Sequence, residues 1–257
     1  MRPSQILKKL LLDPNTLVVP DAFDGLSARI IQESGFQAVQ CSGHSIARSI
    51  GLPNERNLSL NSNLAATHEI VQAVTLPVMA DGEDGYGDDS TFEETLERFH
   101  EIGVAGINIE DQNLRHRESK ESIIPESVAV SKIGRAVTQK ARMEDPDWII
   151  NARTDALRSH PDRTIALSIA INRANRFLEA GADLVFVAYV ATLEELRTLA
   201  REIPGPLSIA AGLSYNSHLF SVQDCIDLGI ARVSLPTLLF DATQSAMQRA
   251  LTSIPRS

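Results

Sequence analysis

Residues Asp81-Gly82-Glu83-Asp84 bring three carboxylates together within four positions, followed at once by Gly85-Tyr86-Gly87. Like charges so close repel one another, and a cation among them relieves the repulsion. A hard divalent ion bound through oxygen, Mg2+ or Mn2+, meets that need. The glycines let the backbone turn tightly and approach a ligand closely. A solvated acidic turn has the same spacing, so the rest of the chain must decide between the two readings.

Other chemistry-bearing residues recur in comparable settings, each just after a short apolar run: Asp21, Ser42-Gly43-His44, Glu110-Asp111, Arg153-Thr154-Asp155 and Ala188-Tyr189. Asp81, Glu83 and Glu110 can share one ion, some of them through waters, because Mg2+ gives up its waters reluctantly. Arg153 can grip a carboxylate or phosphonate in a two-pronged fork. Ser42 and the Gly43 backbone can seat a second carboxylate. His44 is a candidate acid or base, since a histidine titrates near neutral pH; its alternative is a hydrogen-bonded imidazole behind the site. Tyr189 is a candidate proton donor, or else a packing aromatic with a wet hydroxyl. His116 can touch substrate from the polar loop 112–121, or simply be a solvated loop histidine.

The apolar runs are short and bounded by turn signals, so they read as buried strands. They fall at 17–20, 38–41, 77–80, 106–109, 148–152, 184–187, 206–209 and 232–235, and helical patterns lie between them. A first helix, capped by Ser4, ends near Leu12. The helix at 25–34 carries Leu26, Ile30 and Ile31 on one side. An irregular stretch at 51–62 precedes a helix at 63–73. A helix at 91–102 starts with Ser90 as N-cap and Glu93 completing a capping box. Glycines 35, 103, 181 and 229 stop helices before the even-numbered strands. Eight strand-then-helix units make an α/β chain, a (β/α)8 or TIM barrel, preceded by the N-terminal helix. No linker or composition shift divides residues 1–257, so a single domain is expected. In such a barrel the strand ends form one rim, and that rim is where active sites lie.

Composition narrows the function. The chain has 257 residues, about the size of one such barrel, and a formal net charge of −9. It has no long basic run, which argues against nucleic acid. No apolar run approaches the roughly 20 residues that span a bilayer, so no membrane partner is expected. Its two cysteines, Cys41 and Cys225, make neither a disulfide framework nor a zinc site. With no signal-peptide pattern at the N-terminus, a cytoplasmic protein is expected.

Pro20-Asp21-Ala22-Phe23-Asp24-Gly25-Leu26-Ser27-Ala28, Cys41-Ser42-Gly43, Gly51-Leu52-Pro53, Asp81 to Gly87, Gly106 to Gln112 and Asn151 to Asp155 together resemble the isocitrate lyase/phosphoenolpyruvate mutase superfamily. The resemblance implies a metal-bound 2-oxo or 2-hydroxy acid that passes through an enolpyruvate. It implies Asp81 as the direct metal ligand, with Glu83 and Glu110 holding metal-bound waters. Ser42 and Gly43 would bind the pyruvyl carboxylate, and Arg153 the substrate oxygens. It also implies a homo-oligomer, a tetramer or dimer, with the last helix exchanged between subunits. The chain departs from that pattern in several places. The loop after strand four, Asn113 to Ser119, is short and lacks the Lys-Lys/Arg-Cys-Gly-His of the lyases. Asn54 stands where many members have aspartate, Ala188 where a glutamate is expected, and Ala210 or a neighbour where an asparagine is expected.

These observations describe a Mg2+-dependent enzyme that cleaves a carbon–carbon bond in a small anionic carboxylic acid, by retro-aldol lysis or decarboxylation of an oxaloacetate-like acid. Two alternatives stay open. One is phosphorus–carbon chemistry, as in a phosphonopyruvate hydrolase or phosphoenolpyruvate mutase. The other is a silent barrel that binds metal and 2-oxo acids without turnover.

Overall fold

The computed structural model describes residues 1–87, 90–112 and 123–255. The strands are β1 (Leu17–Ala22), β2 (Val39–Cys41), β3 (Val78–Asp81), β4 (Gly106–Glu110), β5 (Ile149–Thr154), β6 (Leu184–Val187), β7 (Leu207–Ala210) and β8 (Arg232–Leu235). The helices are α1 (Pro3–Leu11), α2 (Gly25–Glu33), α3 (Gly43–Ser49), α4 (Leu60–Ala73), α5 (Phe92–Glu101), α6 (Glu126–Arg142), α7 (Arg163–Glu179), α8 (Leu193–Glu202), α9 (Val222–Asp227) and α10 (Leu238–Thr252). Every strand pairs parallel with the next, and β8 closes on β1 with Leu17 opposite Arg232, so the sheet is the expected closed (β/α)8 barrel.

Parallel strands buried on both faces need apolar side chains on each. Ile107, Ile150, Val185, Ile209 and Val233 accordingly belong to the large core with the helices around them. Trp148 is fully buried there and donates its indole N–H to Val104 O at 2.9 Å. The N-terminal mouth is closed by α1, whose Leu7 and Leu11 pack with Leu17, Met79, Ala105, Ile149 and Leu184. That leaves the C-terminal mouth as the open end. The helix-stopping glycines 35, 103, 181 and 229 have φ of 85°, 90°, 96° and 69°, the left-handed form in which glycine carries no Cβ penalty. Among the described residues no helix is long and apolar enough to cross a membrane.

Several local expectations are corrected. The helix expected at 63 begins at Leu60, because Ser59 accepts the Ser62 N–H at 3.1 Å and caps it earlier. The residues after β2 are the start of a short helix, α3, capped by Ser42. Ser4 lies inside α1, where its hydroxyl donates to Asp145, and Arg2 is the N-cap. The capping box from Ser90 to Glu93 does not form: Thr91 is the N-cap. Glu93 instead takes a two-pronged pair from Arg135 at 2.8 and 2.7 Å, and a charged fork outweighs a local cap. On α2, Leu26 is 61% and Ile30 45% exposed, while Ser27, Ala28 and Ile31 face the sheet. Asp21, expected just past the end of the first strand, is the fifth residue of the six-residue β1.

Candidate active site

The acidic cluster sits at the ends of β3 and β4. Asn63 on α4 holds the chain there, donating its amide N–H to Asp81 O and to the Tyr86 hydroxyl, both at 2.8 Å. Asp81 Oδ2 accepts the Gly43 backbone N–H at 3.1 Å. Glu83 has φ of 50°, a left-handed backbone that costs energy in a residue with a side chain, and its carbonyl accepts the Glu110 N–H at 3.0 Å. The turn thus joins two strand ends. A Cβ at Gly43 would overlap the Glu83 carboxylate, so a side chain there would have to displace it.

Glu83 and Glu110 are each only 2% exposed. Burial pushes the Glu83 carboxyl well above its usual range, with Asp81 and then Glu110 adding repulsion. Burial does the same to Glu110, opposed by Arg153. Asp81 is raised by burial and opposed by Arg153. Asp81 Oδ1, Glu83 Oε1 and both Glu110 carboxylate oxygens are buried without a hydrogen-bond donor. Buried polar atoms are ordinarily paired, so these oxygens suit a cation. All are hard oxygen donors, which matches Mg2+ or Mn2+. Among the described residues no three His, Cys, Asp or Glu side chains gather closely enough to ligate one ion together.

Arg153, near the end of β5, is brought beside these acids. Its Nη1 lies 2.9 Å from Glu110 Oε2, an ion pair without the alignment of a hydrogen bond. Its Nε and Nη2 donate to Asp155 at 2.8 and 3.3 Å. The fork expected to grip substrate is thus engaged by Asp155, whose carboxylate, one residue past the end of β5, is already in reach. Behind it Asp111 accepts the Asp155 backbone N–H at 2.9 Å, the Thr154 hydroxyl at 2.7 Å and Arg173 Nη1 at 3.0 Å. This polar tier braces the arginine from below.

A cleft of about 350 Å3 opens on the other side of Arg153, between β6, β7 and the start of α10. His44 is at its edge, with Nδ1 3.0 Å from Glu55 Oε2. That contact holds the Glu55 carboxyl below its usual range. Tyr189 lines the cleft with φ of 65°, and its hydroxyl accepts from Arg158 Nη1 at 3.0 Å. Burial, then repulsion by Asp155, raises the Tyr189 hydroxyl. Its ring packs on Tyr215 with centroids 5.5 Å apart. Ser42 accepts the Ser45 N–H at 3.3 Å as a helix cap, and the Gly43 N–H expected for a substrate carboxylate is taken up by Asp81. His116, and the loop Asn113 to Ser119 expected to act as a lid, lie outside the described residues.

Three features were not foreseen. Glu55, in a stretch read as irregular, partners His44; Asn54 caps that short turn by accepting the Arg56 N–H at 3.0 Å. Arg232, read only as the start of a strand, is wholly buried inside the barrel and donates to Ser208 and Gln40. Burial lowers its guanidinium to about 10, opposed by Asp21 and Asp81. The apolar floor of the cleft, Phe186 with Ala188 and Ala210, was hidden because strand-end residues were searched for charge. An aromatic in an otherwise aliphatic strand was its one signal.

A family model described as phosphoenolpyruvate phosphomutase matches residues 7–255. The chain is 30% identical over 257 residues to 2-methylisocitrate lyase of Aeropyrum pernix, covering 98% of this chain and 80% of that one. It is 31% identical over 210 residues to 2,3-dimethylmalate lyase of Eubacterium barkeri, covering 80% and 70%. A crystal structure of 2,3-dimethylmalate lyase, described as a PEP mutase/isocitrate lyase superfamily member, superposes with a TM-score of 0.88 at 26% identity, over 98% of this chain and 87% of that one.

Proposed function

The chain belongs to the phosphoenolpyruvate phosphomutase family, and from that premise we propose that it is a Mg2+-dependent lyase. It cleaves a carbon–carbon bond in a small 2-oxo or 2-hydroxy acid through an enolpyruvate-type intermediate. Relatives named 2-methylisocitrate lyase and 2,3-dimethylmalate lyase support the reaction class. The observation that carries the reading is the set of buried oxygens of Asp81, Glu83 and Glu110 that lack a hydrogen-bond donor, beside Arg153 at the open mouth.

In this reading Asp81 would hold the ion directly, and Glu83 and Glu110 would hold it through water. When bound, the ion supplies positive charge where an oxygen of the acid becomes negative, usually the largest contribution to such catalysis. To receive the acid's oxygens, the Gly43 N–H must exchange Asp81 for them and Arg153 must share its guanidinium between them and Asp155 and Glu110, which keep it aimed; Ser42 donates its hydroxyl. The acceptor Glu55 favours the proton on His44 Nδ1, which leaves Nε2 to exchange a proton with the substrate. Cleavage of a 2-hydroxy acid requires a base to take the 2-hydroxyl proton: C2 becomes a carbonyl as the C2–C3 bond breaks, and the bonding pair passes to C3 of the other fragment, which later takes up a proton. In a 4-hydroxy-2-oxo acid the 4-hydroxyl loses its proton and the pair passes instead to C3 of the pyruvyl fragment, which takes up a proton. Tyr189 suits that last step: its raised hydroxyl keeps its proton at neutral pH, and its oxygen already accepts from Arg158.

The phosphorus–carbon reading is kept because the matching family model is that of a phosphomutase. The test is a panel of 2-oxo and 2-hydroxy acids with Mg2+, followed by pyruvate formation. Phosphate from phosphonopyruvate alone would move the assignment to phosphorus–carbon chemistry. Mg2+-dependent oxalate binding with no acid consumed would make it a silent barrel.

Assembly as a tetramer or dimer is part of the proposal. No residue of α10 is buried within the chain, and Leu238, Met247 and Leu251 stand exposed on it. Light scattering after size exclusion tests this. A cytoplasmic setting accords with two free, buried cysteines.

A further inference from the structure

We propose that Arg173, paired with Asp111, is a positioning residue for Arg153: the pair fixes the β5 end that carries Arg153 and ties it to the chain approaching α6. This rests on the lyase reading, in which Arg153 receives the acid's oxygens.

Glu110 is the last residue of β4 and lies beside Arg153 in the acidic site. Its neighbour Asp111 reaches the outer helix α7 instead, as alternation along an extended chain directs. There it grips three consecutive residues. Its N–H donates to Arg153 O at 3.1 Å, its Oδ2 accepts the Thr154 hydroxyl at 2.7 Å, and its Oδ1 accepts the Asp155 N–H at 2.9 Å. Asp155 in turn holds Arg153 Nε and Nη2. Asp111 thus sets both the backbone of Arg153 and the carboxylate that engages its guanidinium.

Arg173, on α7, closes the arrangement. Its guanidinium is divided between two segments. Nη1 donates to Asp111 Oδ2 at 3.0 Å and Nη2 to Ile124 O at 2.8 Å, while Nε has no acceptor among the described residues. The Ile124 N–H donates back to Asp111 O at 2.9 Å, and Gln112 bridges Ile123 antiparallel. The Asp111 and Arg173 side chains are 1% and 7% exposed. A buried ion pair adds little stability over an apolar pair of the same volume, because desolvation offsets its attraction. What the divided guanidinium supplies is direction, since it joins β4, β5 and the approach to α6 at one point. An arginine that shares itself between a ligand and two acids needs such a hold, because a misplacement of about 1 Å can cost roughly 100-fold in rate.

A double-mutant cycle on the full-length protein tests this, with calorimetry of oxalate in Mg2+. Arg173→Met should weaken oxalate several-fold. In an Arg153→Lys background the same change should cost less than about 2-fold, because residues of one network lose a shared energy. Oxalate still chelates the ion without the Arg153 fork, so that affinity stays measurable. Arg173→Lys, which keeps the charge and one hydrogen bond, should recover part of the loss. Circular dichroism checks each fold, and if Arg173→Met does not fold, Arg173→Lys takes its place in the cycle. Unchanged oxalate affinity, or the same loss in both backgrounds, would show a brace that does not act through Arg153 and would overturn the proposal. If wild type shows no Mg2+-dependent oxalate binding, the lyase reading fails and this proposal falls with it.

Discussion

Gly43 donates its backbone N–H to Asp81 Oδ2 at 3.1 Å, across 38 residues of sequence. The first turn of α3 and the end of β3 are thereby one unit. The same glycine lies against the Glu83 carboxylate, which a side chain there would have to displace. The two acids are packed on a backbone and held there before any ion arrives, which is how a site is kept preorganised.

Gly43→Ala tests that packing. The added methyl must displace Glu83, and overpacking of this kind costs about 1–3 kcal/mol. Urea unfolding should show that loss, and Mg2+ affinity should fall with it. Unchanged stability and affinity would mean that the acids are not held by Gly43.

Asp81→Ala should weaken Mg2+ binding by more than the roughly 10–100-fold that loss of an outer-shell partner costs. Calorimetry reads the affinity and circular dichroism checks the fold. An affinity equal to wild type would remove Asp81 from the metal site.

The raised carboxyls predict a pH effect. Burial first, then its acidic neighbours, lifts Glu83 above its ordinary value of 4.5. The folded, metal-free state therefore holds a proton that the unfolded chain releases at about 4.5. The difference favours folding at low pH and is lost as pH rises from that value toward the raised one. Glu83→Gln lacks the titration. In EDTA, the stability of wild type relative to Glu83→Gln should fall as pH rises through that window, and Mg2+ should restore it with proton release. A constant difference would contradict the assignment.

Arg153→Lys keeps the charge and loses the fork. Asp155 then loses at least one of two charged hydrogen bonds, each worth about 1.5–3 kcal/mol. Stability should drop on urea unfolding, and oxalate affinity in Mg2+ should fall at least several-fold. Equal oxalate affinity in the two proteins would take Arg153 out of ligand binding.

Thiol reagents should leave activity intact. Cys41 and Cys225 are both buried, and burial pushes the Cys41 thiol up and that of Cys225 up to about 12. Neither forms the thiolate that reacts. Rapid inactivation by iodoacetamide, with Cys41→Ala as the control, would show a working thiol.

The sequence alone determined the eight-unit barrel, the four glycine helix stops and the acidic rim, because each is written in neighbouring residues. Apolar runs, left-handed glycines and a charged turn such as Asp81 to Asp84 need no distant partner to be recognised. Tertiary structure decided what those groups meet. Arg153 could be read as a fork, but only folding shows it held between Asp155 and Glu110. Glu55 became the partner of His44, and Arg232 turned inward to Gln40, 192 residues away. The helix errors have the same origin: Glu93 left its local cap for Arg135, 42 residues on. A local pattern constrains backbone form over a few residues. The energy of a charged or apolar side chain depends on atoms that the closed barrel brings beside it from elsewhere in the chain.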